Sequence, residues 1–157
     1  MARMQDVSVR RAHLADYEQL ARLRHALWPE TSADEHAEEL RGILRGEAPG
    51  VMPLVEIVCD ASDGTLVGFI EVGLRSHADG CDESRAVGYV EGWYVVASSR
   101  RQGIGAQLLR AAEDWARSQG CKEMASDALI ENANSQRAHE ALGFEVVGRN
   151  VLYRKRL

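Results

Sequence analysis

The chain has 157 residues, of which 45% are hydrophobic and 27% are charged, and its formal net charge is −5. This length suits one domain that buries about 68–70% of its unfolded surface. No apolar run approaches the ~20 residues of a membrane span, and residues 1–6 lack the apolar core of a signal peptide, so we expect a cytoplasmic protein with no membrane partner. The cysteines, Cys59, Cys81 and Cys121, include no Cys-x-x-Cys pair, which predicts neither disulfides nor a bound metal.

Charge is distributed unevenly along the chain. Residues 30–91 carry 14 acidic and 4 basic side chains, a net of −10, whereas residues 92–157 carry 7 and 10, a net of +3. The acidic part argues against a nucleic-acid partner and favours a cationic substrate, because summed surface charge concentrates opposite charges near a cleft. A merely solvated acidic surface gives the same count, so composition leaves both interpretations open.

Hydrophobic periodicity and turn residues divide the chain into elements in the order β-α-α-β-β-β-α-β-α-β-β. Asp16 is placed to cap the first helix, and Ser32 with Glu35 has the form of a capping box for the second. In chain order we predict a strand over residues 6–11, helices over 16–28 and 33–44, a break at 46–53, strands over 54–59, 65–74 and 86–96, a helix over 106–119, a strand over 123–128, a helix over 133–142, and strands over 145–149 and 151–155.

A basic turn that contains glycine separates the fourth predicted strand from the third predicted helix. It reads Arg100-Arg101-Gln102-Gly103-Ile104-Gly105. The N–H groups in the first turn of a helix are unpaired and, with the helix dipole, attract anionic oxygens, while glycines let a pyrophosphate approach the backbone closely. The spacing matches neither the dinucleotide-binding fingerprint nor the P-loop. The turn therefore predicts a phosphate site, with a capped helix that binds no ligand as the alternative.

A second motif lies downstream, where Asn132 opens a segment that ends in Leu142-Gly143-Phe144. Together, and in this order, the Arg-x-x-Gly-x-Gly turn and this segment resemble the two landmarks of the GNAT N-acetyltransferases. The resemblance implies one acetyltransferase domain over residues 1–157, of the α/β (α+β) class, with helices flanking a mixed sheet whose centre alone is parallel. It also implies acetyl-CoA as the co-substrate.

In that fold, acetyl-CoA lies in a V-shaped opening between the fourth and fifth strands. The resemblance implies that the pantetheine arm pairs with the fourth strand as an added strand would, and that a backbone N–H there polarises the thioester carbonyl. Asn132 would contact the same arm, although a helix cap explains this asparagine equally well. The implied acetyl-CoA residues on the strand and at the pyrophosphate are Tyr94, Val95, Val96, Arg100, Arg101, Gln102, Gly103, Ile104, Gly105, Ala106 and, for the arm, Asn132.

Acetylation of an amine requires a neutral nucleophile, so a carboxylate that accepts its proton, directly or through water, is chemically sensible. Glu91 lies on the fourth predicted strand among apolar and small residues, and Asp127 lies near the end of the facing strand; we predict both as catalytic. A buried ion pair is the alternative for Glu91. His139 occupies the position where many GNAT relatives have a proton-donating tyrosine, but an ordinary helix histidine is the alternative, and Tyr94 and Tyr153 are substitutes for the role.

Further strings occur in order over almost the whole chain: Leu27-Trp28-Pro29, Gly80-Cys81-Asp82, Val90-Glu91-Gly92, Ala125-Ser126-Asp127 and Tyr153-Arg154-Lys155-Arg156. They resemble the aminoglycoside 6'-N-acetyltransferases. This resemblance implies acetyl transfer to the primary 6'-amine of a polycationic antibiotic, and a homodimer in which the C-terminal segment supplies exchange or edge pairing. The implied substrate-binding residues are Trp28, Asp79, Asp82, Glu83, Glu91 and Asp127.

Two alternatives remain open. The first is an acetyltransferase of the same fold for another amine, such as a polyamine or a protein N-terminus, because the motifs define the acyl donor better than the acceptor. The second is a protein that binds acyl-CoA without catalysis and whose partner reads its loaded state. Turnover of kanamycin or tobramycin but not spermine favours the antibiotic interpretation over the first, and an ordered carboxylate near the thioester sulfur favours an enzyme over the second.

Overall fold

The computed structural model describes residues 6–47, 50 and 52–157. Residues 1–5, considered above for a signal peptide, and residues 48, 49 and 51, in the predicted break, lie outside the described residues. The strands are β1 (Val7–Arg11), β2 (Leu54–Ala61), β3 (Leu66–Arg75), β4 (Val87–Val95) and β5 (Met124–Ser126), and the helices are α1 (Tyr17–Leu27), α2 (Ala33–Leu44), α3 (Ile104–Ser118) and α4 (Ala133–Ala141).

The strands form one mixed sheet in the order β1-β2-β3-β4-β5, which is antiparallel except between β4 and β5. The parallel pairing is short and ends where Val90 faces Ser126. β4 continues to Val95 beside β3 alone, so the two parallel strands separate at their carboxyl ends. The predicted fold class, helices around a mixed sheet, is confirmed, but the parallel pair lies at the edge of the sheet and not at its centre.

Helix α3 covers one face of the sheet, and α1 with α2 covers the other. Leu108 of α3 packs with Ile57 and Ile70, whereas Leu20 of α1 packs with Phe69 on the opposite face. Neighbouring residues of a strand point to opposite faces, which is why Phe69 and Ile70 belong to different clusters. Both are fully buried, and each such side chain contributes about 1.5–3 kcal/mol relative to exposure.

The two predicted helix caps differ in outcome. The capping box of α2 is confirmed, because the Glu35 N–H donates to Ser32 Oγ at 3.2 Å and the Ser32 N–H donates to Glu35 Oε2 at 2.9 Å. The prediction for Asp16 is wrong, since its side chain makes no cap hydrogen bond to α1. Its carboxylate accepts from Arg10 Nη1 at 2.8 Å and from the His13 N–H at 2.6 Å, and the Arg10 bond lowers the pKa of Asp16. A charged guanidinium is a stronger donor than a helix N–H.

The predicted strands over residues 145–149 and 151–155 are not formed. Within the described ranges, residues 145–157 make no backbone–backbone hydrogen bond, and all of them are exposed. Leu152 and Tyr153 are each 93% exposed. A strand needs a neighbour that pairs with its N–H and C=O groups, and the isolated chain offers this segment none. Among the helices described, none has the length and apolar character needed to cross a bilayer.

Candidate active site

The separation of β4 and β5 leaves one edge of β4 open. Tyr94 and Val95 pair with β3 on the other edge, and the Val96 N–H donates to the Val67 carbonyl at 2.9 Å. Beyond Val90, β5 pairs with no residue of β4. A strand edge with unpaired backbone groups accepts an added strand. The backbone around the predicted pantetheine residues therefore has the arrangement that an extended amide-bearing arm requires.

Helix α3 begins at the predicted phosphate turn. Gly103 caps it with a left-handed φ of +78°, and the first helical hydrogen bond runs from the Gln107 N–H to the Gly103 carbonyl at 3.1 Å. The N–H groups of the turn before Gln107 point out of the helix end, where they and the helix dipole attract anions. No atom lies within 4 Å of a β-carbon built on Gly103. The helix end is therefore open to a phosphate, and the residues present fit the pyrophosphate of CoA.

Two of the predicted acetyl-CoA residues have partners within the chain. Arg100 Nε donates to the Val95 carbonyl at 2.8 Å, and the guanidinium carbon lies 5.6 Å from the centroid of the Tyr94 ring. Asn132 Oδ1 accepts from the Ser135 N–H at 3.0 Å and caps α4. The helix-cap alternative for Asn132 is thus observed, and its contact with the pantetheine arm stays a prediction.

Glu91 lies at a β-bulge. The register between β3 and β4 shifts between Glu71 and Val72, which leaves Glu91 as an extra residue of β4 with no partner on β3. Its carboxylate accepts two hydrogen bonds from Arg75, from Nε to Oε1 at 3.0 Å and from Nη2 to Oε2 at 2.8 Å. The Glu91 side chain is 30% exposed. The ion-pair alternative for Glu91 is therefore realised at the rim of the site rather than in the core.

Asp127 follows β5 directly and is exposed. The Tyr89 hydroxyl donates to its Oδ2 at 2.9 Å, and the Arg75 guanidinium carbon lies 3.4 Å from the centroid of the Tyr89 ring. Burial, with the Asp127 hydrogen bond second, raises the pKa of Tyr89 to about 12, so its hydroxyl keeps its proton at neutral pH. The two predicted carboxylates thus belong to one connected group, Glu91–Arg75–Tyr89–Asp127, whose middle members the sequence analysis missed.

His139 is packed between two aromatic rings and two serines. Its Nδ1 donates to the Ser135 carbonyl at 2.7 Å, and its Nε2 lies 2.9 Å from Ser126 Oγ. Because a carbonyl only accepts, Nδ1 carries a proton. The rings of Trp93 and Phe144 lie 5.3 and 5.1 Å away, both edge-on. These contacts agree with an ordinary helix histidine, and proton donation by His139 stays a prediction.

A cavity of about 360 Å³ lies beside Glu91. Trp28 forms one wall, and its Cζ2 lies 2.7 Å from where a β-carbon on Gly92 would be, so the indole reaches β4 only because residue 92 is glycine. Half of the eight lining residues are glutamates and one is an arginine, which favours a cationic ligand. The lining residues are Arg24, Trp28, Glu30, Thr31, His36, Glu39, Glu71 and Glu91.

Part of this lining belongs to a mostly buried group of charged residues that the sequence analysis also missed. Glu56 and Glu71 face each other across β2 and β3, and both are buried. Buried Arg24 lies 3.9 Å from Glu56 and 3.4 Å from Glu71, and donates to Glu39 at 3.0 Å. Burial and then the charge of Glu71 raise the pKa of Glu56 well above its usual value. The signal in the sequence was two glutamates inside otherwise apolar strands.

The acidic residues predicted from the loop before β4 do not line this cavity. Asp82 Oδ1 accepts from the Ser84 hydroxyl at 2.7 Å and from the Ser84 N–H at 2.8 Å, and these bonds lower the pKa of Asp82. Asp79 faces the side-chain amide of Asn150 at 3.5 Å. Contact of Asp79, Asp82 and Glu83 with a substrate stays a prediction.

Comparison with known proteins agrees with this geometry. The family model described as "Acetyltransferase (GNAT) family" matches residues 17–144. An open β4 edge beside a helix N-terminus that can hold a pyrophosphate is what this class of acyl-CoA enzyme needs, and the chain belongs to the GNAT acetyltransferase family.

Within the family the chain is similar to aminoglycoside-modifying enzymes. It is 42% identical over 135 residues, 86% of this chain and 87% of the relative, to aminoglycoside N(6')-acetyltransferase type 1 of Klebsiella aerogenes. It is 36% identical to the Salmonella enteritidis protein of the same name, with 96% and 99% covered. The solved structure of AAC(6')-Iy with the bisubstrate analogue CoA-S-monomethyl-acetylneamine superposes with a TM-score of 0.84 at 36% identity, over 96% of this chain and 99% of that one.

The phosphate turn generates a first prediction. Gly103→Val should weaken CoA binding about 10–100-fold, the equivalent of losing charge-assisted hydrogen bonds worth about 1.5–3 kcal/mol, because its side chain would occupy the space in front of the helix end. Isothermal titration calorimetry with CoA measures the change. Gly64→Val is the matched control, since Gly64 also has a positive φ, +83°, and open space around its β-carbon, but lies in the β2–β3 turn. If Gly103→Val folds and binds CoA with unchanged affinity, the prediction of a phosphate site at this turn is wrong.

The buried charges generate a second prediction. Glu56 binds its proton more tightly in the folded chain than in the unfolded one, so its contribution to stability falls as pH rises above the ordinary glutamate pKa of about 4.3. The free energy of unfolding of Glu56→Gln, relative to wild type, should therefore increase with pH, by up to about 1.4 kcal/mol per unit until the folded pKa is reached. Urea unfolding between pH 4.5 and 8 measures it.

The control for this prediction is Glu38→Gln, whose glutamate is exposed and paired only with Arg41. Its stability difference from wild type should change little over the same pH range. A Glu56→Gln curve that runs parallel to the wild-type curve would mean that Glu56 holds no extra proton in the folded protein.

Proposed function

We propose that this protein transfers the acetyl group of acetyl-CoA to the 6'-amine of aminoglycoside antibiotics and thereby confers resistance to them. The observation that carries the proposal is the acidic cavity beside Glu91, next to the open edge of β4. An aminoglycoside carries several ammonium groups, so glutamates in the lining favour it over a neutral or anionic ligand. The similarity to enzymes named for this reaction supports the same acceptor.

In the proposed reaction the neutral amine attacks the thioester carbonyl directly, the C–S bond breaks, and CoA leaves as a thiolate that takes up a proton, with His139 as the proposed donor. Glu91 accepts the proton of the ammonium group, directly or through water, and Asp127 attracts the cationic substrate from the facing strand. A backbone N–H on the open edge of β4 stabilises the oxyanion, and the turn at Gly103 holds the pyrophosphate. Trp28 packs against a sugar ring. Because acetyl-CoA is available inside the cell, we assign the protein to the cytoplasm.

A second acceptor class, the polyamines, is favoured by the same acidic lining. Spermine is also polycationic, and none of the charges in the cavity distinguishes it from an aminoglycoside by sign alone. The indole of Trp28 favours the antibiotic, because an aromatic face packs well against the apolar face of a sugar ring and gains less from a flexible aliphatic chain.

We propose further that the protein is a homodimer in which residues 145–157 of each chain pair with β5 of the other. β5 is the last strand of the sheet and has β4 on one side only. Beside it lies a cavity of about 220 Å³ whose walls include Met124, Leu142 and Phe144. The exposed segment carries the apolar residues Val151, Leu152 and Tyr153, so one chain has both the unpaired edge and a segment that could cover it.

The acceptor is tested with a panel of amines and an assay of CoA thiol release. Kanamycin, tobramycin and neomycin should be acetylated, whereas paromomycin, which has a hydroxyl where neomycin has the 6'-amine, should not. The KM for the antibiotic should rise with salt, because ion pairing is screened within about 8 Å at physiological ionic strength. If the protein acetylates spermine or a peptide amine but none of the antibiotics that carry a 6'-amine, it is an acetyltransferase of the same fold for another amine.

The dimer is tested by sedimentation equilibrium. Wild type should have twice the chain mass at micromolar concentration, and Leu152→Asp should be monomeric, because pairing would bury an unpartnered carboxylate. Leu14→Asp is the matched control, since Leu14 is also exposed but lies before α1. A monomeric wild type, or a Leu152→Asp protein that remains dimeric, would contradict the exchange of this segment.

A further inference from the structure

Arg75 links the two carboxylates that flank the opening between β4 and β5. It is the last residue of β3, and both of its bonds to Glu91 come from the same guanidinium plane that stacks on the Tyr89 ring. The Tyr89 hydroxyl continues the chain of contacts to Asp127. Arg75 of β3 thus holds Glu91 on β4, and Tyr89 of β4 holds Asp127 after β5.

Glu91 needs such a partner because of its place in the sheet. As the extra residue of a bulge, it has no cross-strand neighbour on β3 that would fix the direction of its side chain. A bidentate guanidinium bond fixes both the position and the plane of a carboxylate, which one ammonium group does not. The Glu91 bond raises the pKa of Arg75, which agrees with a strong pairing.

Asp127 has a similar need. It lies just beyond the last residue of β5, is exposed, and follows a strand of only three residues, Met124–Ser126. The Tyr89 hydroxyl donates to Asp127 Oδ2, which holds the carboxylate of this exposed residue. The Tyr89 ring is itself covered by Arg75, so the side chains that hold the two carboxylates are in contact.

We propose that Arg75 and Tyr89 are positioning residues that set the spacing of Glu91 and Asp127 for one polycationic acceptor. Arg75 acts through Glu91, and Tyr89 acts through Asp127. The inference rests on the proposed function, because that function gives the two carboxylates their roles. It differs from a structural latch between strands, which would affect folding or CoA binding rather than use of the acceptor.

The variants are Tyr89→Phe, which keeps the ring under Arg75 and removes only the hydroxyl, and Arg75→Lys, which keeps the charge and loses the planar fork. Tyr89→Phe should lower kcat/KM for kanamycin about 3–10-fold and Arg75→Lys about 10–100-fold, since misplacement of a reacting group by about 1 Å costs up to about 10²-fold. The CoA dissociation constant and the urea midpoint should stay near wild type. Similar losses in all three quantities would indicate a structural latch and overturn the proposal.

Double variants give the sharper test. If each residue acts through its carboxylate, Tyr89→Phe should cause no further loss of kcat/KM in an Asp127→Asn protein, and Arg75→Lys none in a Glu91→Gln protein. Losses that multiply independently would overturn the proposal. The matched controls are Tyr17→Phe and Arg41→Lys, because Arg41 stacks on Tyr17 at 4.6 Å between α1 and α2, away from both carboxylates.

The controls should leave kcat/KM unchanged. The double-variant test and the test of the proposed function give separate answers, because the proposed function is decided by the activity of the wild type alone. A wild type that acetylates no aminoglycoside removes the proposed function and this inference with it, whereas an active wild type with independent losses in the double variants removes only the inference.

Discussion

The short parallel pairing between β4 and β5 is the constraint on which the rest of the site depends. The two strands pair only through residues 88–90 of β4; β5 then ends, whereas β4 continues to Val95 beside β3. Because parallel strands end on the same side, the open edge of β4, the start of α3 and Asp127 after β5 all lie at one end of the sheet. A longer pairing would close the edge that an acyl-CoA arm must occupy.

The charges of the site divide into two groups with different energetic roles. At the rim, Glu91 and Asp127 are partly exposed and held by Arg75 and Tyr89, so their charge remains accessible to a cation. In the cavity wall, Arg24 faces two buried glutamates, and burial of unmatched charge lowers stability. Sites that bind strongly charged substrates are often not the most stable parts of a protein. A group of buried charges is therefore kept where it attracts a cationic ligand.

Within the part of the chain that the structure describes, the outer edge of β5 and the exposed terminal segment both lack backbone hydrogen-bond partners. An unpaired strand edge invites pairing with another chain, and an exposed apolar segment without backbone partners has the same tendency. The proposed exchange would satisfy both with one interface. Within the single chain, the terminal segment already contacts the loop before β4, where Asn150 lies against Asp79.

The sequence by itself determined the features that depend on near neighbours. Capping of α2 by Ser32 needs only residues three apart, and the left-handed turn at Gly103 needs only glycine, so both were predictable. The order of elements and the acetyltransferase family followed from periodicity and from two motifs. Asp16 was different, because its partner Arg10 is brought to it by the path of the chain between β1 and α1.

Only the tertiary structure decided the contacts between distant residues. Arg75 meets Glu91 and Tyr89 meets Asp127 because of strand register, and a shift of one residue would turn these side chains to the other face. A bulge, which no local pattern predicted, sets that register at Glu91. The apolar residues of the segment 145–157 predicted strands that did not form, since a strand also needs a partner that only the fold can supply.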